Sequence, residues 1–239
     1  MTLHQRIFLA AALCAPAVFA QARPNGLYAT LETSMGNITF ELFEKDTPVT
    51  VKNFTDLALG RLAYTDPRNG LPSKLSFYNG LTFHRVIPGF MIQGGDPLGD
   101  GTGGTKNIPD EFKPELSFDK PGRLGMANAG PNTGSCQFFI TVSEQPHLNQ
   151  LHTVFGQVVE GQDVVEKITG VPAQNDKPLE PVTIVKVKLQ RVGPGSDPNA
   201  VPPPPPSPAV VAAPKPAAPK PALPKRAVAP VAKKAAAKK

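Results

Sequence analysis

Phe83-His84-Arg85-Val86-Ile87-Pro88-Gly89-Phe90-Met91-Ile92-Gln93-Gly94-Gly95-Asp96 is the stretch from which the rest of this chain can be read. Two short apolar runs, 82–87 and 90–94, flank Pro88-Gly89 and read as strands. Each carries a polar group, Arg85 in the first and Gln93 in the second. A strand buried entirely in a core does not place such groups among its apolar residues, because an unpaired buried polar group is costly. A second stretch has the same character: Gly125-Met126-Ala127-Asn128-Ala129-Gly130-Pro131-Asn132-Thr133-Gly134-Ser135-Cys136-Gln137-Phe138-Phe139-Ile140. Large apolar side chains with a few polar neighbours are what an apolar groove for a peptide requires.

Outward from these two stretches the chain keeps a β pattern. Residues 28–43 alternate on either side of Ser34-Met35-Gly36-Asn37 and read as a hairpin. Further short strands are expected at 123–127, 137–142 and 153–159, and 182–192 alternates Val185, Val187 and Leu189 against Lys186, Lys188 and Gln190. Two short helices interrupt them. Thr47-Pro48 opens the first, with Thr47 as N-cap and Val51, Phe54, Leu57 and Ala58 on its apolar face, and Gly60 ends it. The second spans 161–168. Residues 61–80 read as loop. Many short strands with Gly/Pro turns predict a mainly β domain, a barrel or a sandwich. A closed barrel would remove exposed sheet edges, and the two helices would cap its ends.

The ends of the chain have a different composition. Of the 239 residues 29 are proline, and 14 of those fall in residues 193–239. That segment holds eight Lys/Arg against Asp197 alone, so it carries +7 of a chain whose total is +6. It reads as a disordered basic tail rich in Pro, Ala and Lys, with polyproline-II character around the five prolines at 202–206. Its charge suits anionic cell-envelope polymers. At the other end, Arg6 precedes an uncharged run of 14 residues, Ile7 to Ala20. A bilayer span needs about 20 apolar residues, whereas the apolar part of an export signal has about 7–15. Residues 1–20 are therefore read as a signal peptide cleaved after Ala20 or Ala22, with no transmembrane anchor, and the mature protein as periplasmic or secreted. Cleavage removes Cys14 and leaves Cys136 as a lone thiol, read as buried. The folded domain then spans 21–192 and is slightly acidic, acting as a monomer.

No nucleophile elbow, no His pair at i, i+4 and no metal-ligand spacing appears. Gly101-Thr102-Gly103-Gly104-Thr105-Lys106 resembles a phosphate loop only superficially and reads as a surface loop. The two quoted stretches, together with His152-Thr153-Val154-Phe155-Gly156, resemble the cyclophilin family of peptidyl-prolyl cis–trans isomerases, over about residues 27–192 and in the order the family has them. The likeness is to the bacterial exported branch. It implies a closed eight-stranded antiparallel barrel capped by two helices, an isomerase of Xaa-Pro bonds in peptides and in folding proteins, and no cofactor or metal. By position it implies that Arg85 is catalytic and that Phe90, Met91, Phe139 and Leu148 wall a proline pocket. Gln93, Ala127, Asn128 and Gln137 match groove residues that hold the peptide backbone, and His152 matches the histidine at the pocket edge. Where many eukaryotic members of the family have the tryptophan that contacts cyclosporin, this chain has His147, a departure that bears on inhibition more than on isomerisation, and its stretch 65–77, longer than in compact members, is expected to form an extra lobe beside the groove.

Such chemistry needs no covalent step. A peptide bond resists rotation by about 18–20 kcal/mol because its nitrogen lone pair is delocalised. A donor aimed at the prolyl nitrogen favours the twisted state, in which that lone pair returns. Arginine suits the role because it is always charged and its fork can also hold a carbonyl. Alone, Arg85 would read as a surface ion-pair residue; Phe90, Met91 and Gln93 at family spacing change that reading. His84 reads as a structural hydrogen-bonding residue, and Phe83, Phe138 and Ile140 as core. A peptide-binding adaptor would need the groove but not the Arg85, Gln93 and His152 set.

Overall fold

The computed structural model describes residues 23–193. The expected signal peptide and all of the expected tail after Gly193 lie outside these residues. Among them no helix is long and apolar enough to cross a membrane.

The first hairpin joins β1 (Gly26–Thr33) to β2 (Gly36–Leu42). Its alternation places Leu27, Ala29 and Leu31 opposite Leu42, Phe40 and Ile38, so one face is continuously apolar. Gly36 at φ +132° lets the turn lie under the second helix, where a Cβ would come within 2.9 Å of Val164. Helix α1 (Pro48–Ala58) follows. A small hairpin comes next, β3 (Tyr64–Asp66) with β4 (Leu71–Ser73), where only loop was expected. Strands β5 (Phe83–Ile87) and β6 (Met91–Gly94) form the pair around Pro88-Gly89. Strands β7 (Arg123–Met126), β8 (Phe138–Thr141) and β9 (Val154–Glu160) continue the sheet. Helix α2 (Gln162–Thr169), a two-residue hairpin of β10 (Ala173–Gln174) and β11 (Lys177–Pro178), and β12 (Ile184–Val192) complete the chain.

Eight of these strands form one antiparallel sheet in the order β12-β1-β2-β9-β7-β8-β6-β5. The sheet is a curled half-barrel rather than the fully closed barrel expected, since β5 and β12 do not pair along their lengths. The seam is drawn together just ahead of both strands. Thr82 bridges Thr183, Phe83 N–H donates to Val182 O at 2.9 Å, and Ile184 N–H donates to Leu81 O at 2.7 Å. Further along β5 the place of a partner strand is taken by the β10–β11 turn, whose Asp176 carbonyl accepts from Val86 N–H at 2.7 Å. An open edge is thus blunted by a short hairpin.

Inside the curl, Phe54 of α1 lies 5.0 Å from Tyr78, 5.7 Å from Phe138 and 5.6 Å from Phe155, ring centre to ring centre. Val51, Leu57 and Ala58 join it from α1, and Val164, Val165 and Ile168 from α2. Cys136 is buried here as expected, and burial pushes its thiol up to about 11. Thr47 does not cap α1 with its side chain; its hydroxyl instead donates to Phe43 O at 3.1 Å. The cap comes from a distant residue. Glu111 accepts from Val49 N–H at 3.1 Å and from Thr50 N–H at 2.8 Å, a carboxylate at the positive end of the helix.

Candidate active site

A β-bulge decides where Arg85 points. The pairing of β5 with β6 shifts register between Phe83 and Arg85. A bulge bends a strand and re-aims a side chain. Phe83 faces the core, His84 is buried beside Leu98, Gly99 and Lys177, and Arg85 lies opposite Gln93 with its side chain 45% exposed. His84 is buried, and neither ring nitrogen has a hydrogen-bond partner among the described residues. The structural hydrogen bonds expected of it are therefore absent there. Burial holds its imidazole below the ordinary value, opposed in part by Asp96 and Asp100.

The outer face of the same strands carries a small apolar cluster of its own, separate from the interior. Met91 of β6, Phe139 of β8, Val154 of β9, Leu148 and Phe118 form it, with Phe90 and Ala127 packed against it. Phe118 stacks on Phe139 at 5.4 Å and 21°. On β7 the residue facing Phe139 is Gly125, and a Cβ there would lie 2.4 Å from the ring. Only a glycine lets the ring lie flat on the wall. His152 meets the ring edge-on at 5.2 Å, and its Nδ1 lies 3.0 Å from Met126 O. A carbonyl only accepts, so Nδ1 carries the proton and Nε2 of the neutral ring is left as an acceptor.

This cluster is the floor of a cavity of about 330 Å³. Arg85, Phe90, Met91, Gln93, Ala127, Asn128, Phe139, Leu148 and His152 line it, all of them residues singled out from the sequence. Gln137 is the one expected groove residue not on this wall. It lines an adjoining cavity of about 340 Å³ that shares Gln93, Ala127 and Asn128. Its side chain is engaged within the protein, since Nε2 donates to Gly101 O at 3.0 Å and Gly103 O at 2.7 Å. Gln137 Oε1 accepts from Gln93 Nε2 at 2.9 Å. Gln137 thereby aims the Gln93 amide, whose own oxygen makes no hydrogen bond among the described residues. Asn128 Nδ2 is likewise occupied, donating to Leu151 O at 2.8 Å.

The loop that holds Gln137 is organised by Asp96, buried beneath it. Asp96 Oδ1 accepts from Leu98 N–H at 2.8 Å, and Oδ2 accepts from Asp100 N–H at 3.0 Å and Gly101 N–H at 2.5 Å. Two glycines of the segment 101–106 serve this turn, Gly101 by its N–H and Gly103 by close approach, since a Cβ there would lie 2.0 Å from Asp96 Oδ1. The β3–β4 hairpin sits elsewhere. Tyr64 packs on Phe77 at 4.7 Å and Phe77 N–H donates to Leu57 O, so the lobe expected beside the groove joins the end of α1 and lines neither cavity. Phe118, Gly125 and Val154 were not anticipated from sequence. Phe118 lies in an irregular segment with no period to mark it; Asn149 Oδ1 holds it there by accepting from Phe118 N–H at 2.8 Å.

A curled eight-stranded sheet with an apolar pocket on its outer wall, edged by one guanidinium and several amides, defines a cyclophilin-like architecture. The family model of the cyclophilin-type peptidyl-prolyl cis-trans isomerases matches residues 28–189. The chain is 52% identical over 166 residues to the probable peptidyl-prolyl cis-trans isomerase A of Mycobacterium bovis, covering 67% of this chain and 91% of that protein. It is 48% identical over 169 residues to peptidyl-prolyl cis-trans isomerase B of Streptomyces anulatus, covering 69% and 97%. Among solved structures, a cyclophilin-type isomerase of Cryptosporidium parvum superposes with a TM-score of 0.60 at 34% identity, over 70% of this chain and 98% of that one. The same Cryptosporidium isomerase, in a crystal structure obtained in the presence of the dipeptide Ala-Pro, has a TM-score of 0.58 at 35% identity, over 67% and 96%. The chain belongs to the cyclophilin-type peptidyl-prolyl cis-trans isomerases, and proline-containing peptides are its substrates.

Proposed function

We propose that this isomerase accelerates Xaa-Pro rotation in exported proteins as they fold, acting as a monomer in the periplasm or outside the cell, and that Arg85 is its catalytic residue. The observation that carries the second statement is the placement of one guanidinium at the rim of an apolar pocket walled by Phe90, Met91, Phe139 and Leu148. A pyrrolidine ring seated on that floor is held while the acyl side of the bond turns. Both terminal nitrogens of Arg85 are without a partner among the described residues and can reach toward the prolyl nitrogen and its carbonyl. The free oxygen of Gln93 and Nε2 of His152 add acceptors at the groove edge, and Asn128 and Ala127 line the same groove, along which the peptide backbone would lie. Each interaction with the nitrogen strengthens as the bond twists, which lowers the barrier rather than merely binding the ground state.

Removal of one such donor costs about 10²–10³ in rate. Arg85→Ala in the residue 21–239 protein, assayed on an Ala-Pro peptide, is expected to lose kcat by that order with KM little changed. Equal kcat for variant and parent would remove Arg85 from the mechanism. The export reading rests on the 14-residue apolar run at 7–20, and the tail reading on +7 in 47 residues. Cell fractionation of the full-length chain tests the first, with a cytosolic, unprocessed product overturning it. Retention on anionic envelope polymer that disappears on deleting 193–239 and weakens with salt supports the second.

A further inference from the structure

We propose that Asp176 is a positioning residue for Arg85, holding the guanidinium by its Nε so that both terminal nitrogens face the pocket. The inference rests on the catalytic reading of Arg85 above. Four observations carry it. Arg85 Nε lies 3.4 Å from Asp176 Oδ2, and this is the one ion pair that Arg85 makes among the described residues. Asp176 lines neither of the two cavities. It is instead the second residue of the two-residue turn between β10 and β11, which the register Gln174↔Lys177 closes.

That turn is the third point. Asn175 has φ 51° and Asp176 φ 65°, so both central residues are left-handed. A turn of this kind favours Asn followed by Gly. An aspartate in the second place is strained where glycine would not be, and a strained residue at the edge of a site points toward function. The fourth point is rigidity. Asp176 O accepts from Val86 N–H at 2.7 Å, which ties the turn to the residue after Arg85, and Lys177 Nζ donates to Gly99 O at 3.2 Å, which ties it to the loop above the groove. The carboxylate thus stands at a fixed distance from β5, while the arginine it meets is a long side chain about half in solvent. A guanidinium in that position otherwise wanders among rotamers. A carboxylate on Nε leaves the outward fork free and narrows its directions.

The test is Asp176→Gly and Asp176→Asn, each alone and with Arg85→Ala, in the residue 21–239 protein on an Ala-Pro peptide. The Val86 hydrogen bond is to backbone and survives either change, and glycine relieves the turn, so the melting temperature of Asp176→Gly is expected to hold or rise. A half-exposed ion pair is worth a small factor, so kcat is expected to fall about two- to fivefold with KM unchanged. Asp176→Asn keeps the turn and loses the charge, and should fall equally. In the Arg85→Ala background Asp176→Gly should change nothing, and added salt should shrink the loss in the parent. A variant at least as stable but slower is not what a purely structural role produces. Three results overturn the proposal: parental kcat in Asp176→Gly, the same fold-loss with and without Arg85, or a loss that tracks the melting temperature. If Arg85→Ala itself keeps parental kcat, both the catalytic reading and this one fail; if Arg85→Ala falls and Asp176→Gly does not, only this one fails.

Discussion

Phe138 and Phe139 are neighbours on β8, and both are nearly fully buried, at 0% and 5% exposure. They lie on opposite sides of one wall. Phe138 faces inward and meets Phe54, Tyr78 and Phe83 edge-on, at 5.7, 5.7 and 6.3 Å. Phe139 faces outward, stacked on Phe118 and edged by His152. The same split runs through Ile92 and Met91 on β6 and through Phe155 and Val154 on β9. Burial alone therefore does not say what an aromatic in this protein is for. The side of the sheet does, because successive residues of a strand point to opposite faces. Inside, the rings hold the fold; outside, they form the floor on which a proline ring would sit.

Exchanging the two residues in turn is the strongest way to break that comparison. Phe138→Ala is expected to destabilise the protein by about 3–5 kcal/mol, while each molecule that stays folded keeps parental kcat/KM. Phe139→Ala is expected to cost less stability and to raise KM about tenfold or more, since one wall of an apolar pocket is lost. Urea unfolding and isomerase kinetics on both variants decide it. Stability and activity falling in the same proportion in the two would mean that inner and outer faces are not functionally distinct.

A smaller effect sharpens how the inner core is held. Glu111 caps α1 while its own N–H donates to the Thr153 hydroxyl at 2.9 Å. Thr153 lies just before β9, whose first residue is Val154 of the pocket floor. Glu111→Ala is expected to cost about 1 kcal/mol of stability, as the loss of a helix N-cap does. An unchanged denaturation midpoint would show that water replaces the carboxylate without cost.

The smallest effect is one of pH. Burial depresses the His84 imidazole below its ordinary value, with Arg85 and Lys177 pushing the same way and Asp96 and Asp100 against it. The unfolded chain then takes up a proton more readily than the folded one. Stability from this residue is fully present above about pH 6.5 and is lost as pH falls toward the depressed folded value. His84→Gln should flatten the fall in stability between pH 7.5 and 5, measured by urea unfolding. Parallel pH profiles for parent and variant would remove His84 as the cause.

Much of this was legible along the chain. The alternation of 28–43 and 182–192 marked β1, β2 and β12, and the apolar spacing after Pro48 marked α1. The mixture of Arg85 and Gln93 with Phe90 and Met91 marked a groove rather than a core. Other features left weaker signals. The β10–β11 hairpin has only two residues per strand, too few for a period, and its signal is the pair Asn175-Asp176 alone. Thr47 has the residue type of an N-cap, yet its hydroxyl turns back to Phe43, and Glu111 accepts from the first-turn N–H groups instead. The bulge at His84 is invisible in a pattern that reads one residue per step, so a buried His84 beside an exposed Arg85 follows only from the pairing with β6.

Composition, period and turn chemistry are local, and what they establish is local too: which segments are strands or helices, which residues share a face, and where the charge collects. The three-dimensional arrangement decides what depends on residues far apart in sequence. Glu111 reaches a helix 61 and 62 residues away, Gln137 aims Gln93 across 44, and Asp176 meets Arg85 across 91. The seam left open between β5 and β12 is of the same kind, since a hairpin from late in the chain fills the place of a partner strand. The energy of each such contact depends on distance in space, which no spacing along the chain reports.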